Sequence, residues 1–279
     1  MAGFYSASQG TYPTESQWPT NWSPVPVHTV PLEDDFAIWA YPDCPRLLQT
    51  QNEQFDSPEF AKVMEENKDL FELIEKHANS TIKDFTDLYI FANTLMIERY
   101  HNLTLPEWVT EDVYKRSSRL ANDGFDFMFG GAAFGKPENV EMVALSGGNI
   151  IKEMIENIEK KISGENKYKY QVFSGHDSTV AGLLRTFGAK EAVLGDDLPD
   201  YASVVVVELW ELAPQDYSVR VRHSKNVESP FVAITNKIEG CPKYMDLCPV
   251  KTFIENRQKY IFKDIKQACQ VASTVRVPL

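Results

Sequence analysis

The chain reads as an α/β protein, and three stretches carry that reading. Between residues 57 and 114 apolar side chains recur at helical spacing. Residues 170–187 pass from a strand-like run, Tyr170, Val172 and Phe173, into a helix whose Val180, Leu183, Leu184 and Phe187 fall at i, i+3, i+4 and i+7. Residues 204–212 and 217–223 are two further strand-like runs, and Ala213-Pro214-Gln215-Asp216 between them reads as a hairpin turn.

The remaining elements follow in chain order. Residues 1–23, rich in Ser, Thr, Pro and Trp, read as a loop, and residues 24–31 as a strand with Val25, Val27 and Val30 as its apolar members. His28 there is better taken as a structural histidine than as a catalyst. Ser57 is a good cap and Pro58 suits the first helical position; Phe60, Val63, Met64, then Leu70, Phe71, Leu73 and Ile74 fall on apolar faces. Residues 124–135 hold four glycines, which reads as a turn or hinge; a phosphate loop would need a strand before it and a helix after it. A long helix over residues 147–162 carries interspersed Glu and Lys, a solvated face.

Composition narrows the function. The 279 residues are 43% hydrophobic and 24% charged, ordinary for a globular protein with a sizeable core. A net charge of -12 argues against nucleic acid as a partner and offers anionic membranes no basic patch. No apolar run is long enough to span a bilayer. Met1-Ala2-Gly3-Phe4 lacks the basic and apolar regions of a signal peptide, yet sequons at Asn21, Asn79 and Asn102 fit a secretory route. Cys44, Cys241, Cys248 and Cys269 allow three pairings. Nothing calls for a cofactor or a metal: the Cys241 to Cys248 spacing is wide for zinc, and no histidine lies nearby in sequence.

The motif with the most chemistry in it is Ser174-Gly175-His176-Asp177-Ser178-Thr179, where the strand-like run hands over to the helix. Helix N–H groups and an imidazole can hold an anion, and a carboxyl group can give a proton. A plainer reading stands beside it, with Asp177 as an N-cap and His176 as a packed, hydrogen-bonded side chain. Arg222-His223 is the only Arg-His pair; it lies in the alternating run Val219-Arg220-Val221-Arg222 and reads as surface structure.

Several motifs in order resemble the histidine acid phosphatases, in the branch of the prostatic and lysosomal enzymes. Ala2-Gly3-Phe4-Tyr5 is similar to the family's Ala-Gly-Leu-Tyr, and Pro26-Val27-His28-Thr29-Val30-Pro31 matches its Pro-Val-His-Thr-Val-Pro without a break. Asp43-Cys44-Pro45-Arg46, then His101-Asn102-Leu103-Thr104-Leu105-Pro106 with Trp108 and Thr110-Glu111-Asp112, continue the series. Gly147-Gly148, His176-Asp177 and Tyr201-Ala202-Ser203 complete it.

The resemblance implies a phosphoglycerate-mutase-like sheet flanked by helices, one histidine-phosphatase-like domain over residues 1–279 with a helical lobe inserted at 47–140. It implies hydrolysis of phosphate monoesters through a phosphohistidine, with His176 on the phosphate and Asp177 protonating the leaving oxygen. It favours Cys241–Cys248 and Cys44–Cys269 as the disulfides. Where the family usually has a further pair, Ile97 and Val204 stand here. It points to a secreted or lysosomal protein and is compatible with a homodimer. The family's Arg-His-Gly-x-Arg-x-Pro segment, which brings the nucleophile and the phosphate clamp on its first strand, does not occur in these residues. The expectation is that it belongs upstream of Met1 and that the chain as written does not turn over phosphate. The alternative is an inactive paralogue or truncated product with a binding or structural role.

Overall fold

Side-chain caps fix where five of the helices begin. The computed structural model describes residues 5, 7–20, 22–23, 25–38, 44–78 and 81–271; residues 1–4, Asn21, Pro24, Asp43 and Asn79, which figure above, lie outside them. The chain divides into two compact units, residues 1–35 and 36–279.

The first unit is built of turns. The Trp18 and Trp22 rings stack with centroids 5.0 Å apart, and Trp18 Nε1 donates to the Trp22 carbonyl at 2.8 Å. The strand expected at 24–31 is not formed: its described residues join no ladder, and Val27 and Val30 are 68% and 56% exposed. Pro26 and Pro31 have no N–H to give a neighbour, which explains why valine-rich sequence fails to act as a strand here. A short 3₁₀ turn, Leu32–Asp34, follows.

In the second unit, α1 (Pro45–Phe55) and α2 (Pro58–Glu66) both begin with proline, and Ser57 Oγ accepts from the Phe60 N–H at 3.4 Å, as its sequence predicts. After α3 (Lys68–Ala78), Asp84 caps α4 (Phe85–Tyr100) by accepting from the N–H groups of Thr86 and Asp87 at 2.8 and 3.1 Å. Thr110 caps α5 (Glu111–Met128) in the same way. Leu70, Ile74, Leu88, Leu95 and Val113 bury one core between α3, α4 and α5, and Phe55, Phe60, Phe85, Phe125 and Phe127 form a second.

The glycine-rich stretch is a hinge only in part. Helix α5 runs through Gly124, and a Cβ there would lie 2.1 Å from the Phe85 ring, so glycine lets α4 and α5 close up; the turn is confined to residues 129–135. The long helix begins earlier than expected: α6 is Val140–Ile162, capped by Asn139, with Gly147 and Gly148 inside it.

Residues 165–176 have no regular structure. The strand expected at 170–173 is therefore absent, with Tyr170 46% and Val172 54% exposed; only Phe173 of that run packs into the core. Then come α7 (Asp177–Thr186), α8 (Lys190–Leu194) and the predicted hairpin, β1 (Val204–Ala213) with β2 (Asp216–Ser224). Two short strands, β3 (Val232–Ala233) and β4 (Cys248–Pro249), add to β2, making a four-stranded antiparallel sheet. Val219 and Val221 of β2 are buried in the core that also holds Ile151, Leu184, Phe187 and Phe253. Helices α9 (Val250–Arg257) and α10 (Ile265–Ala268) end the unit.

Helices around a small sheet are the α/β fold expected. Cys44 pairs with Cys269 and Cys241 with Cys248, across 225 and 7 residues of sequence. Among the described residues no helix is long and apolar enough to cross a membrane.

Candidate active site

Helix α7 is held along its length. Ala181, Leu183 and Leu184 are buried, and a Cβ on Gly147 of α6 would come within 2.8 Å of the Gly182 carbonyl, so the two backbones touch. At its far end Asp126 of α5 receives two cations. Arg185 bonds one carboxylate oxygen, and Lys190 Nζ of α8 lies 2.6 Å from the other. The Arg185 and Lys190 side chains are 3% and 7% exposed. Burial, with the charges of Asp196 and Asp126, raises the pKa of neighbouring Asp123. The C-terminal end of α7 is therefore tied to α5 and α8. The α5–α7–α8 charge cluster had one readable sign in the sequence, a charged Arg185 on the otherwise apolar face of Leu184 and Phe187.

At its near end the helix presents the motif. His176 is the N-cap and Asp177 the first helical residue, which corrects the reading of Asp177 as the cap. Thr179 Oγ1 accepts from the His176 N–H at 3.0 Å, and an Asp177 oxygen accepts from the Ser178 N–H at 2.7 Å. Both residues are exposed. The structure thus brings His176 and Asp177 together at a helix N-terminus, where oriented N–H groups and the helix dipole favour an anion.

Sequence reasoning did not single out Tyr89, which the charge of Asp177 reaches. Tyr89 of α4 is half-buried, and burial, followed by the charges of Asp177 and Tyr201, pushes its phenol up to about 12. Tyr201 precedes β1 on an exposed turn in which Ala202 holds a φ of 59°, and its ring meets the edge of Tyr100 with centroids 5.2 Å apart.

The Arg222-His223 pair reads differently from a surface feature. His223 is only 4% exposed, Ser203 Oγ lies 3.0 Å from its Nε2, and burial lowers its pKa. Arg222 lies 3.7 Å from Glu208. No group of three or more His, Cys, Asp or Glu among the described residues is placed to hold a metal.

Comparison with known proteins gives this site its setting. The model of the histidine phosphatase superfamily (branch 2) matches residues 1–224, and the chain belongs to that family. It is 30% identical over 255 residues to a lysosomal acid phosphatase of Pongo abelii, covering 91% of this chain and 57% of that protein. The human lysosomal acid phosphatase is 29% identical with the same coverage, and the prostatic acid phosphatase of Bos taurus is 28% identical over 252 residues, 90% of this chain and 61% of that protein. The chain spans a little over half the length of these curated relatives.

Proposed function

We propose that this chain carries the proton-donor side of a histidine acid phosphatase acting on phosphate monoesters. The observation that carries the reading is the exposed His176–Asp177 pair at the N-terminus of α7, within the family match. His176 and the helix N–H groups bind phosphate oxygens. A nucleophilic histidine from an Arg-His-Gly segment attacks phosphorus, the phosphorus–oxygen bond to the alcohol breaks, and Asp177 gives its proton to the departing oxygen. Water then attacks the phosphohistidine and returns a proton to Asp177, by microscopic reversibility.

Residues 47–140 form the helical lobe inserted into this domain. The protein works in a lysosomal or secreted setting: two disulfides fit an oxidising compartment, relatives are named lysosomal and prostatic acid phosphatases, and Asn102 is an exposed acceptor at a φ of 56°. Pairing into a homodimer remains part of the proposal, to be checked by sedimentation.

The test uses the chain joined to an upstream Arg-His-Gly-x-Arg-x-Pro segment of the family. Asp177→Asn should slow an alkyl phosphate, a poor leaving group, by about 10²–10⁴-fold and 4-nitrophenyl phosphate far less. Equal slowing of both would show that Asp177 is not the donor. Absence of turnover in the joined protein would favour the binding or structural role.

A further inference from the structure

His176 and Asp177 are exposed, and they stand where the irregular stretch 165–176 gives way to α7. The direction in which their side chains set out is decided by the backbone at 175–177, and one buried side chain meets that backbone. Thr179, 9% exposed, accepts from the His176 N–H with Oγ1 at 3.0 Å. The same hydroxyl donates to the Ile38 carbonyl at 3.4 Å, 141 residues away in the chain. Gly175 lies directly against it: a Cβ there would come within 2.7 Å of Thr179 Oγ1, 2.8 Å of its Cβ and 2.9 Å of its Cγ2. The glycine before the pair and the threonine after it form one interlock, and between them His176 holds an extended φ of -118° and ψ of 178°. A cap needs only the bond to the N-terminal backbone. The bond to Ile38 and the fit against Gly175 do more, since they tie the pair to a segment whose Phe36 and Ala37 are buried in the core.

We propose that Thr179 is a positioning residue of this site, holding His176 and Asp177 at the angle from which the carboxyl group reaches the departing oxygen, with Gly175 leaving it the room to do so. This rests on the proton-donor reading of Asp177. Threonine suits the task because its branched Cβ restricts χ1, which keeps the oxygen on the His176 N–H and the methyl against Gly175. Without the hydroxyl, the His176 N–H and the Ile38 carbonyl lose this partner and the first turn of α7 can shift. A donor displaced by about 1 Å costs up to ~10²-fold in rate. That cost falls on the substrate that most needs the proton.

Three substitutions in the joined protein test it, with Asp177→Asn as the reference. Thr179→Val keeps the shape and drops both hydrogen bonds; it should slow an alkyl phosphate by up to about 10²-fold and 4-nitrophenyl phosphate far less. Thr179→Ser keeps the hydroxyl and should stay close to wild type on both. Gly175→Ala, which presses on the threonine from the other side, should repeat the Thr179→Val pattern. Equal slowing of both esters by Thr179→Val, no slowing at all, or a Thr179→Ser as impaired as Thr179→Val overturns the inference. Hydrogen exchange on the 279-residue chain reads the bond without catalysis. The His176 amide should exchange more slowly in the wild type and Thr179→Ser than in Thr179→Val, and equal rates in all three also overturn it. If Asp177→Asn slows both esters equally, or the joined protein turns over neither, the proton-donor reading falls and takes the positioning role with it. If Asp177→Asn discriminates between the esters and Thr179→Val does not, the positioning role alone falls.

Discussion

His223 is a basic side chain placed where burial disfavours its charged form. Burial lowers its pKa, the charges of Lys237 and Lys225 push the same way, and Asp200 opposes them. In the unfolded chain the imidazole titrates near 6.5, so below that pH the unfolded state binds a proton that the folded state refuses. Stability is thus undiminished above about pH 6.5 and falls as the pH drops from there through the folded pKa. Replacing His223 with Gln should flatten this part of the profile; urea unfolding at half-unit steps between pH 7 and 5 measures it, and an unchanged slope would assign the loss to other groups. The reading as surface structure was wrong for His223, although the alternation of the strand held the answer. Alternation sends Arg220 and Arg222 to one face and Val219, Val221 and His223 to the other, so the period that exposes the arginines buries the histidine. By contrast Tyr89 could not be read, because its nearness to Asp177 joins α4 to the start of α7, and no local pattern records that.

At the scale of elements, Asp126 is the tie between α5, α7 and α8, one carboxylate serving two buried cations. Arg185 Nε and Nη1 find no partner among the described residues, so the guanidinium depends on that carboxylate. Asp126→Asn should cost about 3–5 kcal/mol, because it strands buried charge. Asp126→Leu combined with Arg185→Met and Lys190→Met should recover most of the loss, since apolar groups of similar volume need no partner. Denaturant unfolding of both variants checks this, and equal losses would mean that the site fails through packing instead. Helices were legible because their signals are local: Ser57 with Pro58 marks a start that the structure keeps. Strands were not, because valines at 27 and 30 or Tyr170 and Val172 become a strand only when a neighbour supplies the other half of the ladder. The hairpin succeeded since β1 and β2 bring their own partners. Gly124 was misread as a hinge because its purpose, room for Phe85, lies in another helix.

For the molecule as a whole, the four cysteines alone left three pairings open, and it was resemblance to the family that selected the two the structure contains. The local pattern singled out His176 and Asp177 and resemblance implied their roles, while their place at the α7 N-terminus is one that favours an anion. A phosphoryl group in its transition state carries negative charge that preorganised cations must meet, and a covalent route needs a nucleophile. Arg185, on the helix that carries Asp177, is bound to Asp126 at the opposite end, and Arg222 lies beside Glu208. A net charge of -12 at pH 7 supplies no general attraction for a phosphate group there. The 279 residues expressed by themselves should therefore show no hydrolysis of 4-nitrophenyl phosphate at acid pH above a buffer blank. Joining the Arg-His-Gly-x-Arg-x-Pro segment should create the activity. Turnover by the unjoined chain that survives purification and disappears in Asp177→Asn would overturn this, and would mean that a nucleophile and a phosphate clamp exist within these residues after all.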